Sequence, residues 1–169
     1  MSTTEAEPLA EQYFDAFNRR DFDLGASLVA EECEWLHVAT GEVFRGPEGY
    51  KESASRWTRA FPDATVVIVR VLHSGTDLAV EVIARGRHEG TLLTWTGEIP
   101  PTGRSSELRL CYVMTVEHGK ITDARIYYDT STMLRELGIV SDRLISVGLR
   151  AVRLRDALTR SLGRRRWHA

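Results

Sequence analysis

The 169-residue chain lacks the features that define disulfide-rich, membrane-spanning and secreted proteins. Its two cysteines, Cys33 and Cys111, lie far apart in no CxxC pair, which predicts buried thiols and neither a disulfide nor a metal site. No apolar run approaches the roughly 20 residues that a membrane span needs, and the first residues are polar and acidic. We therefore expect a cytoplasmic protein without a membrane span.

Several motifs of common enzyme classes are also missing. The sequence contains no Walker loop, no GxGxxG after a strand, no HExxH and no nucleophile elbow. These absences argue against nucleotide-dependent chemistry, zinc hydrolysis and Ser-His-Asp catalysis. They leave an enzyme or a binding protein that uses ordinary acid–base side chains, with no cofactor and no metal.

Positive charge is scarce in the body of the chain and concentrated in its last part. Residues 142–169 contain eight arginines and two aspartates, a net charge of +6, which leaves −8 for residues 1–141. A body without a basic cluster is not expected to bind nucleic acid. We divide the chain into a domain at 1–140 and an extension at 141–169.

The extension has the pattern of a basic amphipathic helix, with leucines near one face and arginines elsewhere. The helix could pack on the body or on a second subunit. Contact with an anionic membrane surface or another protein, and contact with nucleic acid through the terminal arginines, are the alternatives.

Hydrophobic spacing in the body predicts helices followed by long strands. The predicted helices cover 5–19, 22–30 and 47–60, and the predicted strands cover 33–38, 64–73, 78–87, 106–117 and 121–128. This order indicates an α+β fold, in which a curved antiparallel sheet wraps over three N-terminal helices as a cone. The open mouth of such a cone is a natural pocket for a small apolar ligand, with 89–105 as a long connection across it.

Two residues at strand ends are candidates for chemistry. His88 continues the small, apolar face of the 78–87 strand, where an imidazole could act as general acid or base. A structural histidine bonded to a backbone carbonyl is the alternative. Asp129 follows the last strand and could serve as a pocket carboxylate, as a helix N-cap, or as both.

The remaining candidates lie on predicted inward faces. His37 follows Trp35 by two residues on one strand, so both point to one side, as a binding wall or as core. Tyr112 lies on the apolar face of the 106–117 strand. The aromatic residues expected to line the pocket or to fill the core are Tyr13, Trp35, Trp57, Trp95, Tyr112 and Tyr128.

A set of short motifs resembles a known family. These are GRHEG at 86–90, GEIPPTGR at 97–104, HGKITDARIYYD at 118–129 and MLRELG at 133–138, with FRGPEGY and FPD upstream. In this order they resemble the SnoaL-like polyketide cyclases, also called ester cyclases, of the NTF2-like superfamily. The resemblance covers about residues 8–138.

The resemblance implies an α+β cone, a homodimer formed through the sheet, and a deep apolar pocket without a metal. It also implies intramolecular aldol ring closure in which an Asp, helped by a His, moves the proton. The family's His falls on His88, and the position of its Asp falls on Tyr112. Asp129, His37 or Tyr112 would then supply the proton transfer.

Our first hypothesis is thus an enzyme of polyketide-type secondary metabolism that cyclises or isomerises an extended apolar carbonyl compound. His88 would be the base and Asp129 would orient it, while Tyr112 or His37 would donate a hydrogen bond to the enolate oxygen. The second hypothesis is an epoxide hydrolase or hydroxylase that activates water. The third is a ligand-binding or assembly module whose cone is filled by aromatic side chains; an open pocket would favour an enzyme.

Overall fold

The computed structural model describes residues 3–94 and 97–141. The helices are α1 (Thr3–Arg19), α2 (Phe22–Ser27), α3 (Gly46–Ala60) and α4 (Thr130–Glu136). The strands are β1 (Val29–His37), β2 (Glu42–Arg45), β3 (Thr65–Ser74), β4 (Asp77–Arg87), β5 (Leu92–Thr94), β6 (Gly97–Ile99), β7 (Ser105–Glu117) and β8 (Lys120–Tyr128). Apart from Ser141, the predicted C-terminal extension lies outside the described residues. None of the described helices is both long and apolar enough to span a membrane.

Six strands form one sheet in the order β2-β1-β8-β7-β4-β3. Every neighbouring pair in it is antiparallel except β1 and β8, which run parallel with Trp35 opposite Ala124. The predicted α+β fold is confirmed, with one parallel pair added to the expected antiparallel sheet. Strand periodicity shows which face a residue takes but not which strand lies beside it, so the parallel pair has no signal in the sequence.

The concave face of the sheet carries the apolar residues that alternate along its strands. On β7 the inward residues Leu108, Leu110, Met114 and Val116 are buried, as the alternation predicts. Helices α1 and α3 pack on this face, α1 against β3 and α3 against β1. The core therefore lies between the sheet and these helices, and any cavity inside the cone is bounded by both.

Short elements account for the differences from the predicted boundaries. The predicted helix at 22–30 ends at Ser27, and Val29 already belongs to β1. Strand β2 lies between the predicted strand at 33–38 and the predicted helix at 47–60, where no strand was predicted. The β5–β6 hairpin lies inside the predicted connection at 89–105. Strands of three or four residues are too short for alternation to distinguish them from loops.

The segment that leaves β4 is anchored on the end of α3. The backbone N–H groups of Glu89 and Gly90 both donate to the carbonyl oxygen of Ala60, each at 3.0 Å. This satisfies a carbonyl that the helix end leaves without a helical partner. A Cβ atom added to Gly90 would lie 1.9 Å from the carbonyl oxygen of Arg59. The close approach explains why glycine stands at this position.

Replacing Gly90 by Ala is expected to destabilise the protein by about 2 kcal/mol, because the clash is with backbone and the anchor must shift. Chemical denaturation measures the free energy of unfolding. The control is Glu89→Ala, which removes only an exposed side chain paired with Arg87. Equal stability of the two variants would show that the close approach of Gly90 to Arg59 does not require glycine at this position.

Candidate active site

An open cavity lies between the inner face of the sheet and helices α1 and α3. The space open to the centres of water molecules is about 90 Å³, where one water needs roughly 10–15 Å³ in this measure. Its lining is mainly aromatic and aliphatic. Six residues predicted from the sequence lie in the lining: Tyr13, Trp35, His37, Trp57, Tyr112 and Tyr128.

The remaining predicted site residues do not line this cavity. His88 and Asp129 are not in the lining, and Trp95 lies outside the described residues. The cavity therefore brings His37, and not His88, together with the tyrosines. The catalytic roles assigned to His88 and Asp129 stay predictions, and both side chains have other partners in the structure.

His37, at the end of β1, contacts a side chain of α3. Its Nε2 lies 3.2 Å from Oγ of Ser53, and the imidazole is only 4% exposed. Burial lowers the pKa of His37 to about 4; nearby Glu42 opposes this shift, and Arg56 adds to it. The imidazole is therefore neutral near pH 7, with one nitrogen free to accept a proton.

The low pKa of His37 makes stability depend on pH. Between about pH 4 and 6.5 the unfolded chain binds a proton at this residue that the folded chain does not, so stability falls as the pH falls through this range. At pH 4, the difference between the pKa of His37 in the folded and in the unfolded chain corresponds to a loss of about 3 kcal/mol in the free energy of unfolding. We expect His37→Gln to remove this part of the dependence, measured by urea denaturation at pH 4 and pH 7. An unchanged pH dependence in the variant would contradict a buried, neutral His37.

The described lining of the cavity contains phenol groups and no carboxylates. Tyr13 stacks on Trp35 with ring centroids 5.3 Å apart, and Tyr112 also meets Trp35 edge-on. Burial raises the pKa of Tyr13 and of Tyr112 well above the ordinary value of 10. Both hydroxyls therefore stay protonated at neutral pH and can donate hydrogen bonds. The Nε1 of Trp35 is a further buried donor, and it has no partner among the described residues.

Helix α3 supplies a wall that the sequence interpretation missed in part. Tyr50, Ser53, Ala54 and Trp57 all line the cavity, and their spacing of three and four residues places them on one helical face. Only Trp57 was selected as a candidate. The same spacing was visible in the sequence and would have found Ser53, the hydrogen-bond partner of His37.

His88 lies one layer behind the cavity wall. It is fully buried, and its ring contacts Phe61, a lining residue, at 5.1 Å between centroids. The backbone N–H of Thr102 donates to Nδ1 of His88 at 3.3 Å, and Oγ1 of Thr102 lies 3.2 Å from the same atom. Burial lowers the pKa of His88, so the ring is neutral at this position. These hydrogen bonds connect the residue that follows β4 to Thr102, three residues before β7 begins.

Asp129 caps helix α4. Its carboxylate accepts hydrogen bonds from the backbone N–H of Ser131 at 2.8 Å and from the hydroxyls of Ser131 and Thr132. These bonds, led by those from the two hydroxyls, hold the pKa of Asp129 far below its usual range. Of the two roles predicted for Asp129, the structure places it in the N-cap role. A carboxylate so strongly stabilised as an anion is a poor proton acceptor.

Comparison with known proteins gives the same fold and a family. Residues 7–137 match the family described as SnoaL-like polyketide cyclase. The chain is 30% identical over 109 residues to nogalonic acid methyl ester cyclase of Streptomyces nogalater, covering 62% of this chain and 78% of that protein.

Among solved structures, IdmH from Streptomyces antibioticus, a candidate polyketide cyclase, is 26% identical with a TM-score of 0.67, covering 79% of this chain and 99% of that one. An LEH-like epoxide hydrolase from M. tuberculosis is 22% identical with a TM-score of 0.62, covering 80% and 90%. Within the described residues, no group of three or more His, Cys, Asp or Glu side chains is arranged to hold a metal ion.

Proposed function

Because this chain belongs to the SnoaL-like polyketide cyclase family, we propose that it cyclises or isomerises an apolar carbonyl compound by proton transfer next to a carbonyl group. The substrate would be an intermediate of polyketide-type secondary metabolism. The catalysis uses side chains alone, in the cavity between the sheet and α3. His37 is the group that we assign to the proton transfer.

The neutral imidazole of His37 removes a proton from the carbon beside the carbonyl, and the electron pair of the C–H bond moves onto the carbonyl oxygen. In a cyclisation the enolate carbon then attacks a second carbonyl of the same molecule and forms the new C–C bond. The imidazolium returns its proton to the alkoxide, so no proton is gained or lost overall. In an isomerisation the proton returns to a different carbon.

Ser53 can hold His37 in place while the other ring nitrogen reacts. In the tautomer with Nε2 protonated, Nε2 donates to Oγ of Ser53, 3.2 Å away, and the lone pair lies on Nδ1. Nδ1 then takes the substrate's proton, so the contact with Ser53 persists while the imidazole changes its charge. This makes Ser53 a positioning residue for the base.

The negative charge that develops on the carbonyl oxygen needs donors, and we assign this role to phenol groups of the cavity lining. Tyr13 and Tyr112 keep their protons because burial raises their pKa values. Preorganised donors in a site that excludes water can lower the barrier by about 3 kcal/mol each. Tyr112 stands where the resemblance places the family's acid, and here we assign it as donor instead of base.

The observation that carries the proposal is a buried, neutral imidazole in an apolar cavity that also contains protonated phenols. The open space also favours an enzyme over an assembly module, for which a filled cone would be expected. The described lining of the cavity contains neither Asp nor Glu. Activation of water by a carboxylate pair, as in the hydrolase hypothesis, therefore has no support in this lining.

The proposal can be tested without the natural substrate. We expect the protein to accelerate hydrogen–deuterium exchange at the carbons beside the carbonyl of 2-indanone in D2O, followed by proton NMR. The exchange rate should saturate with ketone concentration, as binding in a cavity requires. Exchange no faster than in buffer that contains an equal concentration of imidazole would contradict enolisation in the cavity.

We further propose that the convex face of the sheet associates with a second copy. Leu72, Val113 and Tyr127 lie on this outer face and are 56%, 37% and 43% exposed. Leu72 and Val113 both pair with Ala79, so they form one apolar row across β3, β4 and β7. A contiguous apolar patch indicates an interaction surface.

Replacing Leu72 by Glu is expected to weaken self-association at least tenfold, because it places a charge in this row. Sedimentation velocity across a concentration series measures the effect. Val43→Glu is a control, since Val43 is 44% exposed but lies on the edge strand β2 at the other end of the sheet. Wild-type protein that stays monomeric at all concentrations would contradict this interface.

A further inference from the structure

A second, smaller cavity adjoins the first one. Its space open to water centres is about 30 Å³, enough for about two water-sized groups. Five residues line both cavities: His37, Ser53, Trp57, Tyr128 and Met133. The His37–Ser53 pair therefore stands at the junction of a larger chamber and a smaller one.

The wall of the smaller chamber includes an ion pair, Glu42 and Arg56, among apolar side chains. Nη1 of Arg56 lies 3.1 Å from Oε1 of Glu42, and the two side chains are 34% and 33% exposed. Oγ1 of Thr40 donates to Oε2 of Glu42 at 3.1 Å. Arg56 also lies over the ring of Phe44, 5.2 Å from its centroid. The guanidinium and the carboxylate are thus fixed in place beside His37.

The roof of the smaller chamber limits what it can hold. Leu92 and Leu93 of β5 line it, and Leu92 is buried. The backbone of this segment is anchored two residues earlier, where Gly90 donates to Ala60. A group that enters this chamber is therefore confined to a few heavy atoms.

We propose that the smaller chamber binds a short, neutral, hydrogen-bonding substituent of the substrate, next to the carbon that reacts at His37. The Glu42–Arg56 pair offers an acceptor and a donor to a hydroxyl, ester or amide group. A charged substituent of either sign would meet one partner of like charge. This proposal rests on the proposed function in one respect, that the larger chamber is the substrate site. It adds the substrate class, which is an apolar scaffold with a short, neutral, polar substituent.

The test uses two inert ligands of nearly equal shape, benzyl alcohol and ethylbenzene. Their dissociation constants are measured by NMR titration, following the indole N–H signal of Trp57, which lines both chambers. The variant Glu42→Leu/Arg56→Met removes both charges and keeps the net charge. We expect it to weaken binding of benzyl alcohol about tenfold, the effect of losing a hydrogen bond to a charged group. Binding of ethylbenzene should change less than twofold.

A matched control separates this effect from general charge removal. Glu81→Leu/Arg109→Met removes an ion pair of 3.5 Å on the outer face of the sheet and should change neither dissociation constant. If the first double variant binds both ligands as the wild type does, the subsite proposal fails and the proposed function stands. If the wild type binds neither ligand at millimolar concentration, the larger chamber is not an apolar ligand site and both proposals fail.

Discussion

Replacing His37 by Gln is expected to lower the rate of exchange at 2-indanone by a factor of about 10² to 10⁴, the usual contribution of a positioned general base. Glutamine keeps a polar atom near the position of Nε2 but cannot accept the proton. The Ser53 contact can persist, so the fold should be retained. The measurement is the proton NMR exchange rate at saturating ketone, together with the circular dichroism spectrum of the variant.

The pH profile distinguishes His37 from an exposed histidine. Because the pKa of His37 is lowered to about 4, the wild-type rate should stay constant from about pH 8 to pH 5 and fall as His37 is protonated near pH 4. If an exposed histidine were the base, the rate would instead fall near pH 6.5. His73→Gln, at an exposed position on β3, is the matched control. Full activity of His37→Gln would remove His37 from the mechanism.

Replacing His88 by Ala is expected to cost about 4 kcal/mol of unfolding free energy. The imidazole is fully buried, and truncation leaves a cavity in the core. It also leaves the N–H of Thr102 without its acceptor. Without these contacts, the β5–β6 hairpin, whose residues Leu92 and Leu93 line the smaller chamber, should become more mobile. Urea denaturation measures the change.

Asparagine separates the structural role of His88 from a catalytic one. The amide oxygen of Asn occupies nearly the position of Nδ1, so His88→Asn can still accept from Thr102 and should recover part of the stability. If His88 positions this segment, the exchange rate per folded His88→Asn molecule should stay within about threefold of the wild type. If the exchange rate of folded His88→Asn protein is lower than that of the wild type by a factor of 10² or more, His88 would again be the candidate for the base.

The long elements of the fold could be predicted from the sequence because their apolar residues recur with clear periods. The alternation along 106–117 identified β7 and its inward residues, including Tyr112. The parallel pairing of β1 with β8 could not be predicted, since its register depends on contacts between distant parts of the chain. The same holds for β5 and β6, which have three residues each.

The candidate site was predictable as a set of faces but not as a set of contacts. Tyr13, Trp35 and Tyr128 were expected on the inner side, and they line the cavity. His88 continued an apolar face in the same way, but the chain leaves the sheet there and turns towards α3, which puts the ring behind Phe61. Strand alternation predicts the direction of a side chain only while the strand continues. It could not show that His37 lines the cavity and that His88 does not.

The parallel pairing of β1 with β8 also has a consequence for folding. His37 lies at the end of β1 opposite Ile126, and Tyr128 follows on β8, so the proposed base lies where an early and a late part of the chain meet. Contacts of such long sequence separation form slowly, because a long loop must close before they become favourable. The cavity should therefore be among the last parts to mature. Partly folded chains would expose their aromatic residues without assembling a working site.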